Sequence, residues 1–218
     1  MSSHLKLSLW LVLILVLSPG VRGQSADPEA DREKWQRVPD LFAAMGVRDG
    51  ATVADVGAGY GFLTVRLARA VGATGKVYAV EINPKAITAL RDLLAKSNIT
   101  NATVVEGAED DPRLPSGALD AIVMVNAYHE VADPATVLQR FREALKPGGR
   151  LVLCEPLPTS RSGLSRAEQV KEHELSTDFI VAEAKTAGFE IVSRDDSFAV
   201  HVAGGKPYPY SLVVASKP

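Results

Sequence analysis

The hydrophobic pattern along the chain predicts short strands and helices in alternation. From Trp35 to Met45 apolar residues recur at helical spacing, and Pro39 within that stretch predicts a helix that begins or kinks there. Beyond it the pattern predicts strands over 51–56, 76–82, 103–106, 119–125 and 150–155, with helices over 62–71, 84–96 and 134–145 between them. Such alternation is typical of an α/β fold with a mainly parallel, doubly wound sheet.

The C-terminal third follows a different pattern. Residues 177–187 predict a helix that Gly188 ends, and two β-rich runs follow over 190–200 and 210–215. The turn-like segment 203–207 between those runs favours antiparallel pairing.

The first 23 residues have the three-part pattern of a secretory signal. His4 and Lys6 precede an apolar run over 7–17, and small residues flank Arg22 at the end of the segment. An apolar run of this length is too short to span a bilayer as a helix. We therefore expect cleavage after Gly23 and export to the periplasm or the medium, and the alternative is an uncleaved N-terminal anchor.

Composition indicates one globular domain after this segment. The 218 residues are 46% hydrophobic and 23% charged, with a net charge of -2, which excludes a disordered chain and gives no electrostatic reason to expect a nucleic-acid partner. A single cysteine, Cys154, excludes a disulfide scaffold. We expect a flexible leader over 24–34 and the folded domain over 35–218.

A glycine-rich turn carries the strongest local signal. The segment 53–62, VADVGAGYGF, reads as a strand that runs through Gly57, Gly59 and Gly61 into a helix. Glycines at such a turn let a ligand approach the backbone closely. Phe62 stands where dinucleotide-binding dehydrogenases have their last glycine, and no Gly-Lys-Ser/Thr follows, so neither a dinucleotide nor a phosphate loop is favoured.

A carboxylate follows at the distance expected for ribose recognition. Glu81 ends the second predicted strand, 20 residues after Gly61, where an acid accepts hydrogen bonds from ribose hydroxyls. The alternative is an exposed acid at the end of a strand. Together with the glycine turn, Glu81 favours a ribonucleoside ligand over one whose pyrophosphate needs a phosphate-binding loop.

Four segments together resemble the class I S-adenosylmethionine-dependent methyltransferases. They are DVGAGYG over 55–61, VYAVE over 77–81, LDAIVMVN over 119–126 and LKPGGRL over 145–151, in the order and spacing of that family. The resemblance covers about residues 35–217 and is nearest to the methyltransferase type 11 group and to small-molecule C- or O-methylating enzymes of quinone biosynthesis. It implies a seven-stranded Rossmann-like sheet, mostly parallel, with an antiparallel last strand.

The resemblance also implies S-adenosylmethionine as the cofactor. Asp55 would orient the glycine loop and face the methionine ammonium, Glu81 would bind the ribose hydroxyls, and Ile82 would lie against the adenine. Either Glu109 or Asp110 would hold the adenine amino group. The implied cofactor-binding residues are Asp55, Gly57, Gly59, Gly61, Glu81, Ile82, Glu109, Asp110 and Asn126.

The acceptor side offers four catalytic candidates: His129, Glu130, Glu155 and His173. A base is needed only if the acceptor carries a proton, and His129 or Glu130 is placed to serve after the fourth strand. Alternatively, His129 packs the loop over the cofactor, and Glu155 and His173 are polar surface residues. A divalent-metal site made of His129, Glu155 and His173 is a further alternative, but the spacing does not demand a metal, and none is expected.

These observations favour a methyltransferase that acts on a small-molecule acceptor, because no inserted recognition domain or basic groove interrupts the chain. The oligomeric state is left open. An exported, non-catalytic nucleoside-binding or metabolite-binding protein on the same fold is the alternative, and a nicotinamide-dependent oxidoreductase is a weaker one. S-adenosylmethionine is made in the cytosol, so either residues 1–23 are an anchor that leaves the domain there, or the cofactor reaches the compartment to which the domain is exported.

Overall fold

The computed structural model describes residues 28–157 and 163–218 as one α/β unit. Its strands are β1 (Thr52–Val56), β2 (Lys76–Glu81), β3 (Ala102–Glu106), β4 (Leu119–Val125), β5 (Leu145–Pro156), β6 (Glu190–Ala203) and β7 (Lys206–Ser216). Its helices are α1 (Pro28–Trp35), α2 (Val38–Met45), α3 (Phe62–Ala70), α4 (Pro84–Lys96), α5 (Pro134–Ala144), α6 (Arg166–Val170) and α7 (Thr177–Thr186).

The seven strands form one sheet in the order β3-β2-β1-β4-β5-β7-β6. The five strands from β3 to β5 are mutually parallel, whereas β7 runs antiparallel to both of its neighbours. The sequence-based prediction of a doubly wound, mostly parallel sheet with an antiparallel last strand is confirmed. Because the strand order reverses between β1 and β4, a crevice opens there at the carboxyl ends of the strands.

Apolar helix faces cover the sheet on both sides. On one side, Leu41 of α2 and Leu67 of α3 pack on alternate residues of the central strands, such as Val53. On the other side, Phe141 of α5 and Ile180 of α7 pack on the intervening residues. Strands buried on both faces read as continuous apolar runs, which explains why β4 has its predicted bounds.

The N-terminal region differs from the expectation of a flexible leader over 24–34. Residues 28–35 form α1, which carries little apolar periodicity because polar contacts hold it. Glu33 pairs with Arg66 of α3 at 3.0 Å, and the guanidinium of Arg32 lies 4.2 Å from the centre of the Phe62 ring. The predicted signal segment 1–23 and residues 24–27 lie outside the described residues.

Other boundaries shift where tertiary pairing extends a strand. β5 begins at Leu145 rather than at Arg150 because Leu145 already pairs with Leu119, before a bulge resets the register. The hairpin of β6 and β7 closes at Gly204-Gly205, so both of its strands are longer than the predicted runs. Within residues 28–157 and 163–218, no helix has the length and apolar character needed to cross a bilayer.

Candidate functional site

The glycine loop after β1 is shaped by close packing. Gly57, Gly59 and Gly61 all have positive φ, between 54° and 89°. A Cβ at Gly57 would come within 2.7 Å of the Ala127 side chain, and one at Gly61 within 2.5 Å of Leu90. A Cβ at Gly59 would meet nothing within 4 Å, so this glycine faces open space.

The backbone N–H groups of this loop are largely satisfied within the protein. Gly57 and Ala58 donate to the carbonyl of Val80, and Gly59 donates to the Glu81 carboxylate at 2.7 Å. A phosphate-binding loop instead turns such donors towards its ligand. The loop therefore offers close approach at Gly59 rather than a cradle of donors.

Glu81 is fixed at the edge of the crevice by three backbone donors. Its Oε2 accepts the Gly59 N–H, and its Oε1 accepts the N–H groups of Ile82 and Asn83 at 2.8 and 2.9 Å. These contacts orient the carboxylate and leave it lone-pair capacity for a ligand hydroxyl. The Ile82 side chain beside it is 53% exposed, which gives the crevice an apolar platform.

A cleft of about 380 Å³ opens next to these groups. Its described walls include the carboxylates of Glu81, Glu109 and Glu130 and contain no lysine or arginine. Three acidic side chains with no basic side chain beside them favour a cationic ligand and disfavour phosphate. Of the two alternatives for the turn after β3, the structure places Glu109 in the wall of this cleft, whereas Asp110 is not among its described lining residues.

Asp55 lies behind the glycine loop rather than in the wall of the cleft. It is buried in β1 and accepts a 2.6 Å hydrogen bond from the Thr64 hydroxyl of α3. Burial raises the pKa of Asp55 from its ordinary 3.8 to about 6, although the Thr64 hydrogen bond and the Arg32 charge oppose the rise. Asp55 therefore joins β1 to the helix that the glycine loop opens.

The acceptor-side candidates assemble around Glu155, which is fully buried at the end of β5. Its Oε1 accepts the N–H groups of Ala127 and Tyr128 at 2.9 and 2.8 Å. Its Oε2 faces the His129 Nδ1 at 2.6 Å and the His129 backbone N–H at 3.3 Å. Glu155 is thus a positioning residue that holds the loop after β4, and it lines neither cleft described here.

His129 and His173 meet although 44 positions separate them. The His129 ring is buried, and its Nε2 lies 3.3 Å from the His173 Nδ1 and 3.9 Å from the Glu130 Oε1. His173 lines a second cleft of about 310 Å³, whereas Glu130 lines the first. The cluster therefore lies between two cavities.

Asn126 contributes to the walls of both cavities. It follows β4 with φ 55°, and its Oδ1 accepts a 3.4 Å hydrogen bond from the Tyr210 hydroxyl of β7. Sequence reasoning missed Tyr210 and Thr64. No local motif marks Tyr210, which reaches the site only through the antiparallel pairing of β7 with β5.

Residues 53–149 match a family model described as "Methyltransferase domain". The chain is 34% identical over 122 residues to the ubiquinone/menaquinone biosynthesis C-methyltransferase UbiE of Marinomonas sp. (strain MWYL1) and to that of Escherichia coli (strain K12 / DH10B). Each alignment covers 56% of this chain and 48% of the relative. The chain thus spans about half the length of the curated relatives it matches.

Solved structures share the fold. A SAM dependent methyltransferase from Aquifex aeolicus superposes with a TM-score of 0.71 at 24% identity, over 88% of this chain and 94% of that one. Geranyl diphosphate C-methyltransferase from Streptomyces coelicolor A3(2), solved with S-adenosyl-L-homocysteine, gives 0.71 at 17% identity, over 86% and 80%. The solved structures show that the fold is shared, and the family match with the curated relatives supports the resemblance to class I S-adenosylmethionine-dependent methyltransferases.

The environment of Asp55 predicts a pH-dependent loss of stability. Because its pKa is higher in the folded chain than in the unfolded chain, Asp55 favours folding at low pH and loses that contribution as pH rises from about 4 to about 6. Relative to the parent, Asp55→Asn should therefore gain about 2 kcal/mol of unfolding free energy between pH 4 and pH 7, measured by urea denaturation.

Asp120→Asn is the matched control, with the opposite sign. Burial raises the pKa of Asp120, but the Thr52 N–H and the Lys146 ammonium lower it below its ordinary value overall. This variant should lose stability relative to the parent as pH rises. If the unfolding free energies of both variants, relative to the parent, changed in the same direction with pH, the raised pKa of Asp55 would be contradicted.

Proposed function

We propose that this chain is a class I S-adenosylmethionine-dependent methyltransferase and that it transfers a methyl group from S-adenosylmethionine to a small-molecule acceptor. The observation that carries the proposal is the first cleft: an oriented Glu81 beside an open glycine, with three carboxylates and no cation among the described walls. A positively charged nucleoside suits that set, whereas the pyrophosphate of a nicotinamide dinucleotide does not.

The residues present fit this cofactor. The cleft lies within the range of about 300–1,000 Å³ typical of small-molecule sites. Glu81 would accept the ribose hydroxyls, Ile82 would support the adenine and Glu109 would accept its amino group. Gly59 leaves room for the ligand where any side chain would intrude. When bound, S-adenosylmethionine supplies a methyl group on a sulfonium, which an acceptor atom attacks in line as the carbon–sulfur bond breaks.

The second cleft would hold the acceptor. It adjoins the first at Asn126 and lies between β7 and the segment before α7, with Tyr208, Tyr210 and His173 among its described walls. In-line attack requires the two reactants to be aligned, which adjoining cavities with one common wall allow. The relatives named as C-methyltransferases, UbiE and the geranyl diphosphate enzyme, support an acceptor of small-molecule size.

We also propose that the N-terminal segment directs export. Its support is the charged, apolar and small-residue pattern over 1–23. Fractionation of expressing cells tests this proposal: the chain should be recovered outside the cytosol, shortened at its N-terminus. Recovery of an uncut chain with the membranes would instead support the anchor.

Glu81→Gln should weaken binding of S-adenosylhomocysteine at least 10-fold, because it replaces a charged acceptor of the ribose hydroxyls with a neutral one. Isothermal titration calorimetry measures the effect. Glu106→Gln is the matched control: Glu106 is the register partner of Glu81 at the end of β3 and is exposed, so its replacement should leave affinity unchanged. Equal affinity in both variants would contradict the assignment of Glu81.

Gly59→Ala should also lower S-adenosylhomocysteine affinity at least 10-fold, because the new methyl group enters the ligand space. Gly117→Ala controls for backbone strain, since Gly117 has φ 60° and also meets nothing within 4 Å. Both variants should lose a similar, small amount of thermal stability, of order 1 kcal/mol. Unchanged affinity of Gly59→Ala for S-adenosylhomocysteine would show that the ligand does not contact the glycine loop at this position.

A further inference from the structure

Three side chains of the types that ligate metals converge between the two clefts. The His129 Nε2, the His173 Nδ1 and a carboxylate oxygen of Glu130 all lie within 4.8 Å of one another. They come from two separate segments, the 3₁₀ turn Tyr128–Glu130 and the loop before α7. A hydrogen bond between the imidazoles accounts for two of these groups, but it does not account for the convergence of the third.

The contact with Glu155 fixes which nitrogen of His129 is available. A carboxylate accepts hydrogen bonds, so the 2.6 Å contact places the ring proton on Nδ1 and leaves a lone pair on Nε2. Histidines that ligate metals are commonly held in this way by a carboxylate on the other nitrogen, which fixes the tautomer and the ring plane. The lone pair of His129 therefore points to His173 and Glu130.

The distances suit a cation bound by nitrogen. Two imidazole nitrogens at 2.0–2.1 Å from a tetrahedral zinc stand roughly 3.3 Å apart, and the observed separation between the His129 Nε2 and the His173 Nδ1 is 3.3 Å. The Glu130 oxygen lies 3.9 Å from the same His129 nitrogen and within 4.8 Å of the His173 nitrogen, so it must move closer to both, which its 68% exposed side chain permits. Two imidazoles and one carboxylate favour zinc, iron or manganese over magnesium or calcium.

We propose that His129, Glu130 and His173 bind one divalent transition-metal cation, and that its remaining coordination position takes a hydroxyl oxygen of the methyl acceptor. The placement supports this role, because Glu130 lines the first cleft and His173 the second. A cation there would lower the pKa of the acceptor hydroxyl, which gives its proton to water. The oxyanion then supplies the electron pair for the new bond to the methyl carbon as the bond between that carbon and the sulfonium sulfur breaks. Where a conjugated ring carbon attacks instead of the oxygen, that carbon afterwards gives its proton to water. Only this acceptor role rests on the proposed function.

Cobalt(II) titration of the purified, chelator-treated chain tests the site. The parent should bind one equivalent, give the visible absorption of a four- or five-coordinate nitrogen-ligated ion, and release it to zinc. His129→Ala and His173→Ala should each lower cobalt affinity at least 10-fold, and Glu155→Gln should lower it by about 10- to 100-fold through loss of orientation.

His201→Phe is the matched control, because it removes another imidazole and keeps an aromatic ring against Trp35, on which His201 stacks at 4.4 Å. It should bind cobalt as the parent does. A parent chain without the absorption band, or a band that survives in His173→Ala, would overturn the proposal and leave a histidine–histidine hydrogen bond. Because His173 is exposed, that variant remains informative even if His129→Ala fails to fold.

Titration of the same sample with S-adenosylhomocysteine separates the two proposals. Cobalt binding without nucleoside binding would refute the methyltransferase function and retain the metal site. Nucleoside binding without cobalt binding would refute the metal site alone.

Discussion

The arrangement of the site depends on the hydrogen bonds that the buried Glu155 carboxylate accepts. Glu155 ends β5 and accepts four N–H contacts from the loop after β4, three from the backbone and one from the His129 ring. A buried charge is tolerated only when it is fully hydrogen-bonded, and its removal would leave several donors unsatisfied. This one side chain thereby fixes the loop that places Asn126 between two cavities and His129 beside His173.

Much of the fold could be predicted because its central strands are buried on both faces and its helices have local start signals. β4 and α4 have their predicted bounds, since β4 is a continuous apolar run and Asn83 caps α4 ahead of Pro84. α1 could not be predicted because, apart from Trp35 at its end, ion pairs and a cation–ring contact hold it rather than an apolar face. The early start of β5 depends on pairing with β4, which the local sequence does not show.

The cofactor side of the candidate site could be predicted from local sequence, whereas the contacts on the acceptor side could not. The glycine loop and Glu81 lie at the ends of adjacent parallel strands, so a local motif and a spacing of 20 residues identified them. The contacts of His129 with Glu155 and His173 join residues 26 and 44 positions apart, and sequence spacing carries no sign of them. The sequence predicts Glu155 to face the acceptor or to be a polar surface residue. In the structure it is buried and its hydrogen bonds hold the loop after β4.

The most direct test of the account is calorimetric titration of the unmodified chain with S-adenosylhomocysteine and, in parallel, with NAD. We expect saturable binding of the adenosyl ligand and none of the dinucleotide, because the described walls of the first cleft offer three carboxylates and no lysine or arginine to a pyrophosphate. A folded chain that binds NAD in preference, or that binds neither ligand, would contradict this expectation.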